Sequence, residues 1–373
     1  MTLSKAATGI EGLDEIMTGG VPRGRATLVC GGPGCGKTVL GMSFLVHGAR
    51  ALDEPGLFVS FEETPQDLAD NYRGFGVDVD ELREEGRLRI SHVVLARDEV
   101  FTSGEFSLDG LLIRLKHGIE QVNAKRVVLD SPEGLFSYLG GDLALRGHLS
   151  RLFHFLRESG VTSVVTAERG RDELTRHGLE EFLSDCVLLL DHRVSGNVAK
   201  RRLRIVKYRG SAHGPDEYPF LIDGSGIAVI PITSVSLDDT ASSERVSTGV
   251  ADLDEMLEGE GYFLGSRVLV TGMAGTGKST LAAAFARATC ARGKRCLYLA
   301  FEESQGQITR NMASVGIDLR PWLDDESLKI RAFKPTLHGL EEHLVAILQM
   351  VDAFGPDAVV VDPISNFISI GDR

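Results

Sequence analysis

Short apolar runs rich in β-branched residues alternate with longer amphipathic stretches along the first half of the chain. The runs Ala26-Thr-Leu-Val-Cys30, Gly56 to Phe61, Arg126 to Asp130 and Thr162 to Ala167 are of strand length and almost continuously apolar, as strands buried on both faces are. Between them lie segments of helical length. From Ala144 to Ser159, Leu145, Leu149, Leu152, Phe153 and Leu156 recur at spacings of three and four, which is one face of a helix; a further helical run is expected over Val39 to Arg50. Strand and helix in alternation predict an α/β fold with a mainly parallel sheet covered on both faces. After Asp185 the rhythm changes. Cys186 to Leu190, Leu203 to Lys207 and Tyr218 to Ile222 read as strands separated by turns, a β-hairpin extension.

The pattern then begins again. Thr8-Gly-Ile-Glu-Gly-Leu-Asp-Glu returns as Thr248-Gly-Val-Ala-Asp-Leu-Asp-Glu, Phe61-Glu-Glu-Thr64 as Phe301-Glu-Glu-Ser304, and Arg126-Val-Val-Leu-Asp130 as Ala358-Val-Val-Val-Asp362. Two copies of one domain in tandem are expected, over residues 1–232 and 247–373. The linker is placed at 233–246, in a Ser/Thr/Asp-rich stretch without periodicity.

A length of 373 residues suits two globular domains, and 43% hydrophobic residues suffice for their cores. No stretch nears the roughly 18 apolar residues that cross a bilayer. The opening MTLSKAATGIEGLDE lacks an apolar segment behind a basic one, so a soluble cytoplasmic protein with no membrane partner is expected. The 40 Lys plus Arg against 53 Asp plus Glu leave a net charge of −13, which disfavours nucleic acid as a partner through long-range repulsion. Cys30, Cys35, Cys186, Cys290 and Cys296 form no C-x-x-C pair and are odd in number, which fits a reducing compartment and speaks against zinc. Most of them suit small core residues. Cys35 has a second reading, since it lies in a glycine-rich loop where oxidation would disturb a ligand.

That loop carries the strongest chemical signal. Gly31-Gly32-Pro33-Gly34-Cys35-Gly36-Lys37-Thr38 follows an apolar strand and precedes the helical run that begins at Val39. Glycines let backbone N–H groups converge on a phosphate, the helix N-terminus adds positive potential, the lysine reaches the outer phosphates and the hydroxyl can hold Mg²⁺. A chance Gly-rich turn is the alternative. Its recurrence in the second copy, with Gly272, Gly275, Thr276, Gly277, Lys278, Ser279 and Thr280, argues for two P-loops, hence ATP and Mg²⁺ as ligands. Asp130, closing its strand, suits the carboxylate that holds the metal, with Asp362 as its counterpart; helix capping is the plainer use. The metal set is therefore Thr38, Asp130, Ser279 and Asp362. Glu62 and Glu63 follow the neighbouring strand, where one of them can polarise the attacking water, and Glu302 and Glu303 repeat them beside the second nucleotide site. Adjacent carboxylates also simply solvate strand ends.

These residues carry a resemblance that spans nearly the whole chain. TGIEGLDEIMTGGVPRG, the P-loop, FEETPQDL, Lys125-Arg-Val-Val-Leu-Asp-Ser131, Thr166-Ala-Glu168, Gly178 to Asp185, Lys207-Tyr-Arg209-Gly-Ser-Ala-His213 and Glu217-Tyr-Pro-Phe220 come in the order of the KaiC family of circadian-clock ATPases and autokinases, within the RecA-like P-loop superfamily. The resemblance implies tandem RecA-like P-loop NTPase domains and a serine/threonine autokinase in the complete form. It implies a homo-oligomer, a hexameric ring with ATP at subunit interfaces, and a KaiB-like or other signalling partner. It casts Glu62 and Glu63 as activators of water, Lys207 and Arg209 as fingers reaching the ATP of the next subunit, and His213 as a nucleotide contact. Cations are needed where charge develops on the γ-phosphate. Lys200, Arg201, Arg202 and Arg204 share the hairpin, however, so ordinary solvated charge is the competing reading.

In RecA-like sheets, the resemblance further implies, the strand after the one ending at Asp130 lies between it and the P-loop strand. The second copy has only a few residues beyond Asp362. Both flanking strands there are expected to lack their partner, and autophosphorylation is expected to be absent. Two other functions share the motifs: a DNA-handling motor of RecA or DnaB type, and a scaffold in which nucleotide only cements a ring.

Overall fold

The computed structural model describes residues 3–93, 108–133, 142–170, 174–175, 178, 183–195, 198–224, 226–231, 242–259, 261–333 and 340–366. Most of the linker expected at 233–246, and much of Gly178 to Asp185, lie outside them. The chain divides into two compact units, one made of Met1–Val194 and Ala199–Ser234, the other containing Val235–Arg373.

The first unit opens with the short strands β1 (Lys5–Ala6) and β2 (Val21–Pro22), which pair with each other. Nine further strands form one sheet: β3 (Ala26–Gly31), β4 (Gly56–Ser60), β5 (Leu88–His92), β6 (Arg126–Asp130), β7 (Thr162–Glu168), β8 (Cys186–Ser195), β9 (Val198–Tyr208), β10 (Glu217–Asp223) and β11 (Gly226–Val229). Their order is β11-β10-β9-β8-β3-β7-β6-β4-β5. From β8 to β5 all pairs are parallel, with Ala26 opposite Ser163, Arg126 opposite Thr162 and Gly56 opposite Arg126. The β9-β10-β11 end is antiparallel.

Alternation along each strand explains the two cores. Leu28, Cys30, Leu57, Val59, Val127, Leu129, Val165 and Ala167 face the helices Leu108–Val122 and Asp142–Glu158. Val29, Phe58, Val128 and Val164 face the helix Lys37–Ala51 and the small helices Pro65–Arg73 and Val79–Glu84. The helix expected from Val39 starts at Lys37, because its start is set by the backbone of Gly36 and not by the first apolar residue. Strands β8 and β9 also run further than Cys186 to Leu190 and Leu203 to Lys207. Their extra residues are mostly polar, as a ladder with an exposed side permits.

One charge is fully buried in this core. Arg126 is 0% exposed; it donates to Glu54 at 2.7 Å and to the carbonyls of Ala7 at 2.9 Å and Phe44 at 2.8 Å, and lies over the Phe44 ring. Glycine at 48 makes the room, since a Cβ there would sit 2.5 Å from Arg126 Nε. Burial lowers the Arg126 pKa, and would raise that of Glu54, but hydrogen bonds from Arg23 and Arg126 hold Glu54 below its usual range. One guanidinium thus ties the amino-terminal segment, the Lys37–Ala51 helix and β6 together.

The second unit pairs β12 (Arg245–Val246) with β13 (Tyr262–Phe263), and has a three-stranded parallel sheet of β14 (Cys296–Ala300), β15 (Leu328–Ala332) and β16 (Ala358–Asp362), in the order β15-β14-β16. These match β4, β5 and β6. The stretch matching β3 is not a strand, and Val268, Leu269 and Val270 are exposed, as are Val359 and Val361 on β16. Among the described residues no strand stands where β7 stands in the first unit, so that stretch has no ladder to join.

Glu54→Gln would leave Arg126 buried without its counter-charge. It is expected to lower the stability of the first unit by about 3–5 kcal/mol in urea unfolding. In the wild type the Glu54 contribution is present above the unfolded carboxylate pKa and is lost as pH falls through the depressed folded one. Lys294 occupies the position of Glu54 in the second copy and pairs with Asp357 at 3.1 Å on the surface; Lys294→Ala is expected to cost less than about 1 kcal/mol.

Candidate functional site

Because β3, β6, β4 and β7 run parallel, their carboxyl ends share one end of the sheet, and the candidate groups gather there. Gly31 ends β3, Asp130 ends β6, Glu62 and Glu63 follow β4, and Glu168 ends β7. Asp130 lies across from Ser60, and β7 alone separates β6 from β3. Two strand spacings, about 10 Å, therefore divide the glycine-rich loop from Asp130.

The loop turns into the Lys37–Ala51 helix through Gly36, at φ 102°, with Gly34 at φ 69°. A Cβ at Gly32 or Gly34 would meet nothing within 4 Å, so the outer side of the loop is open. Lys37 curls back, its Nζ donating to the carbonyls of Gly31 at 2.8 Å and Gly32 at 3.0 Å. The second loop repeats this: Gly277 has φ 90°, Gly275 φ 80°, and Lys278 donates to Gly272 and Met273, each at 2.8 Å. Cys35 is buried, and burial raises its thiol pKa despite nearby Lys37. It packs as a core residue and holds little thiolate for oxidation.

Each strand-end carboxylate has its own donor. Thr166 on β7 donates its hydroxyl to Asp130 at 2.5 Å, whereas Asp362 accepts from the Tyr298 hydroxyl at 2.6 Å. Phe58 is the residue in the first copy that matches Tyr298. The two copies thus hold the same carboxylate from different strands. Thr64 caps the Pro65–Arg73 helix in a reciprocal box with Asp67, as Ser304 does with Gln307 for the helix Gln305–Ser314; the turn bearing each glutamate pair is fixed by these caps. The Glu63 carboxylate accepts from Asn71 at 3.0 Å, and Glu303 accepts from Asn311 at 3.0 Å. Burial raises the pKa of Glu63, and the charges of Asp130, Asp67 and Glu62 push the same way against the Asn71 hydrogen bond. Glu302 accepts from Asn366 at 2.8 Å, while Glu62 is exposed. The motif reading did not single out Asn71, Thr166 or Tyr298 as partners of these carboxylates; the recurrence of Asn71 as Asn311 at the repeat spacing was the available signal.

Lys207 and Arg209 are not part of this gathering. Strand β9 runs back toward the start of β3: Arg209 N–H donates to Asp185 O at 2.9 Å, and Asp185 N–H to Ala26 O at 3.1 Å. Lys207 Nζ donates to Ser184 O at 2.8 Å. These residues lie at the far end of the sheet, roughly the 17 Å length of β3 from Gly31. His213 follows them, its Nδ1 3.0 Å from Gly214 O.

A family model described as "ATPase: KaiC" matches residues 6–234 and again 246–372. The chain belongs to the KaiC ATPase family. Its relatives include the circadian clock protein KaiC2 of Synechocystis sp., 51% identical over 100% of this chain and 65% of that protein. The circadian clock oscillator protein KaiC of Parathermosynechococcus lividus is 40% identical over 97% of this chain and 67% of its own length. Circadian clock protein KaiC3 of Synechocystis sp. is 38% identical over 97% and 72%. The chain thus spans about two thirds of the length of these KaiC relatives, and the tandem RecA-like α/β reading of the sequence agrees with the family and the fold. No described helix is long and apolar enough to cross a membrane.

Gly36→Ala would place a side chain at φ 102°, where its Cβ meets the movable end of Ile222 at 2.5 Å. Backbone strain, more than the contact, sets the cost, expected at about 1–3 kcal/mol in urea unfolding. Gly34→Ala, at φ 69° in open space, is expected to cost less.

Proposed function

We propose that this KaiC-family chain binds and hydrolyses ATP with Mg²⁺, as an oligomeric ring that serves timing or signalling. The reading is carried by one arrangement: an open glycine loop at a helix N-terminus, on the same sheet end as Asp130 and the Glu62–Glu63 pair. The loop N–H groups of Gly32 and of Gly34 to Lys37 grip the triphosphate, and Lys37 leaves the loop carbonyls for the outer phosphates. Thr38 and Asp130 hold the metal, which supplies charge neutralisation on the phosphate oxygens. The residues fit such an ion. Mg²⁺ is commonly held by one or two protein oxygens together with waters and phosphates, in keeping with the absence, among the described residues, of any group of three or more His, Cys, Asp or Glu able to cage a metal.

Glu62 and Glu63 orient and deprotonate water. The raised pKa of Glu63 makes it a better proton acceptor once ionised. Lys207 and Arg209, remote from their own loop, act on the ATP of a neighbouring protomer, with His213 beside them, in the hexameric ring that the family resemblance implies. Gly272, Gly275 to Thr280, Glu302, Glu303 and Asp362 form a second site in the domain spanning 247–373, after a first domain at 1–232. The open P-loop stretch of the second unit supports hydrolysis through the first copy, without autokinase activity in this chain. The names of the relatives support circadian-type timing; a KaiB-like or other signalling partner and a cytoplasmic location complete the proposal.

Lys37→Ala is expected to remove Mg-ATP binding at the first loop, read by calorimetry as a loss of that site's share of the stoichiometry, and Lys37→Ala/Lys278→Ala to remove binding altogether. Glu62→Gln/Glu63→Gln should keep binding and lose at least about 100-fold in phosphate release. Arg209→Ala should retain binding and lose turnover, restored in part when mixed with Lys37→Ala protomers, whose intact Arg209 serves a neighbour. Tight binding with full turnover in the glutamate double variant would overturn the hydrolytic reading.

A further inference from the structure

The glutamate pair poses a geometrical problem, because a carboxylate on a strand-to-helix turn has several rotamers and only some aim at the sheet end. In the first copy Asn71 answers it. Asn71 lies two turns up the Pro65–Arg73 helix, and its side-chain amide reaches back to Glu63 at 3.0 Å, while the Glu63 backbone N–H donates to Ser60 Oγ at 2.9 Å. The helix cannot shift relative to the carboxylate, since its first turn is closed by the Thr64–Asp67 box and Leu68, Ala69 and Tyr72 are buried in the core.

The second copy is an internal control. Around this turn the two copies have diverged: Ser60 is matched by Ala300, Gln66 by Gly306, Asp70 by Arg310 and Tyr72 by Met312. The asparagine remains, as Asn311, and so does its contact, 3.0 Å to Glu303. Asparagine is a poor helix former, and Asn71 is exposed, so helix stability does not account for it. A donor aimed at the carboxylate does. Hydrogen bonds to a charged acceptor are among the stronger ones, and this one favours the ionised form that a base requires.

We propose that Asn71 is a positioning residue for ATP hydrolysis, its carboxamide holding the Glu63 carboxylate toward the attacking water, and that Asn311 holds Glu303 in the same way. The proposal rests on the hydrolytic reading above. It gives Glu63 and its counterpart Glu303 an anchor, whereas the exposed Glu62 has no hydrogen-bond partner among the described residues.

The test uses the full chain. Asn71→Ala is expected to lower kcat roughly tenfold or more, with KM and the ATP dissociation constant unchanged and thermal stability equal or higher. Asn71→Asp, which sets a like charge against Glu63, is expected to lower kcat further. Wild-type kcat in Asn71→Ala, equal losses in both variants, or a rise in KM alone would each overturn the assignment while leaving hydrolysis standing. A wild-type chain that releases no phosphate would remove the hydrolytic reading and this assignment with it.

Discussion

The pairing of β3 with β7 on one side and β8 on the other is the constraint on which the first unit depends. It fixes the strand that launches the glycine loop, and it sets Asp130 one strand further along at the same end. The second unit shows what the pairing does. Its β14, β15 and β16 reproduce β4, β5 and β6 in parallel register, yet the stretch before its glycine loop is exposed and irregular. The loop itself keeps its left-handed glycines and its curled lysine. Local sequence is thus enough to shape the loop and the first turn of helix, whereas the stretch beneath, with no strand beside it among the described residues, is not a strand.

Buried charge contributes in a different way. Arg126 begins β6 and contacts two distant segments, so the strand that ends in Asp130 is held at its other end by a guanidinium. Such a pair is weak support for stability in itself, since desolvation offsets most of the attraction. It does specify one arrangement of the helix Lys37–Ala51 against β6. The second copy has Ala358 there and keeps its ion pair at the surface instead.

Strands β3, β4, β6 and β7, their parallel direction and the two glycine loops were legible because each rests on local signals: continuous apolar runs, glycines at fixed spacing, a lysine before a hydroxyl. What escaped reading depends on contacts distant in sequence. Arg126 looks like a polar residue opening a strand until Glu54, 72 positions earlier, is seen beside it. Thr166 and Tyr298 reach equivalent carboxylates from different strands, which no motif spacing encodes. Asn71 reads as a solvated helix residue unless the two copies are laid side by side. The ends of β8 and β9 were underestimated because their polar residues continue a ladder, where hydrophobic periodicity gives no signal.

Strand β9 returns to the opposite end of the sheet from the glycine loop, and this has a consequence for symmetry. A contact that brings one protomer's Arg209 to another's Lys37 would join opposite ends of the sheet, which a head-to-tail arrangement does by using two different patches of each protomer. Such an arrangement either closes by rotation or runs on as a filament.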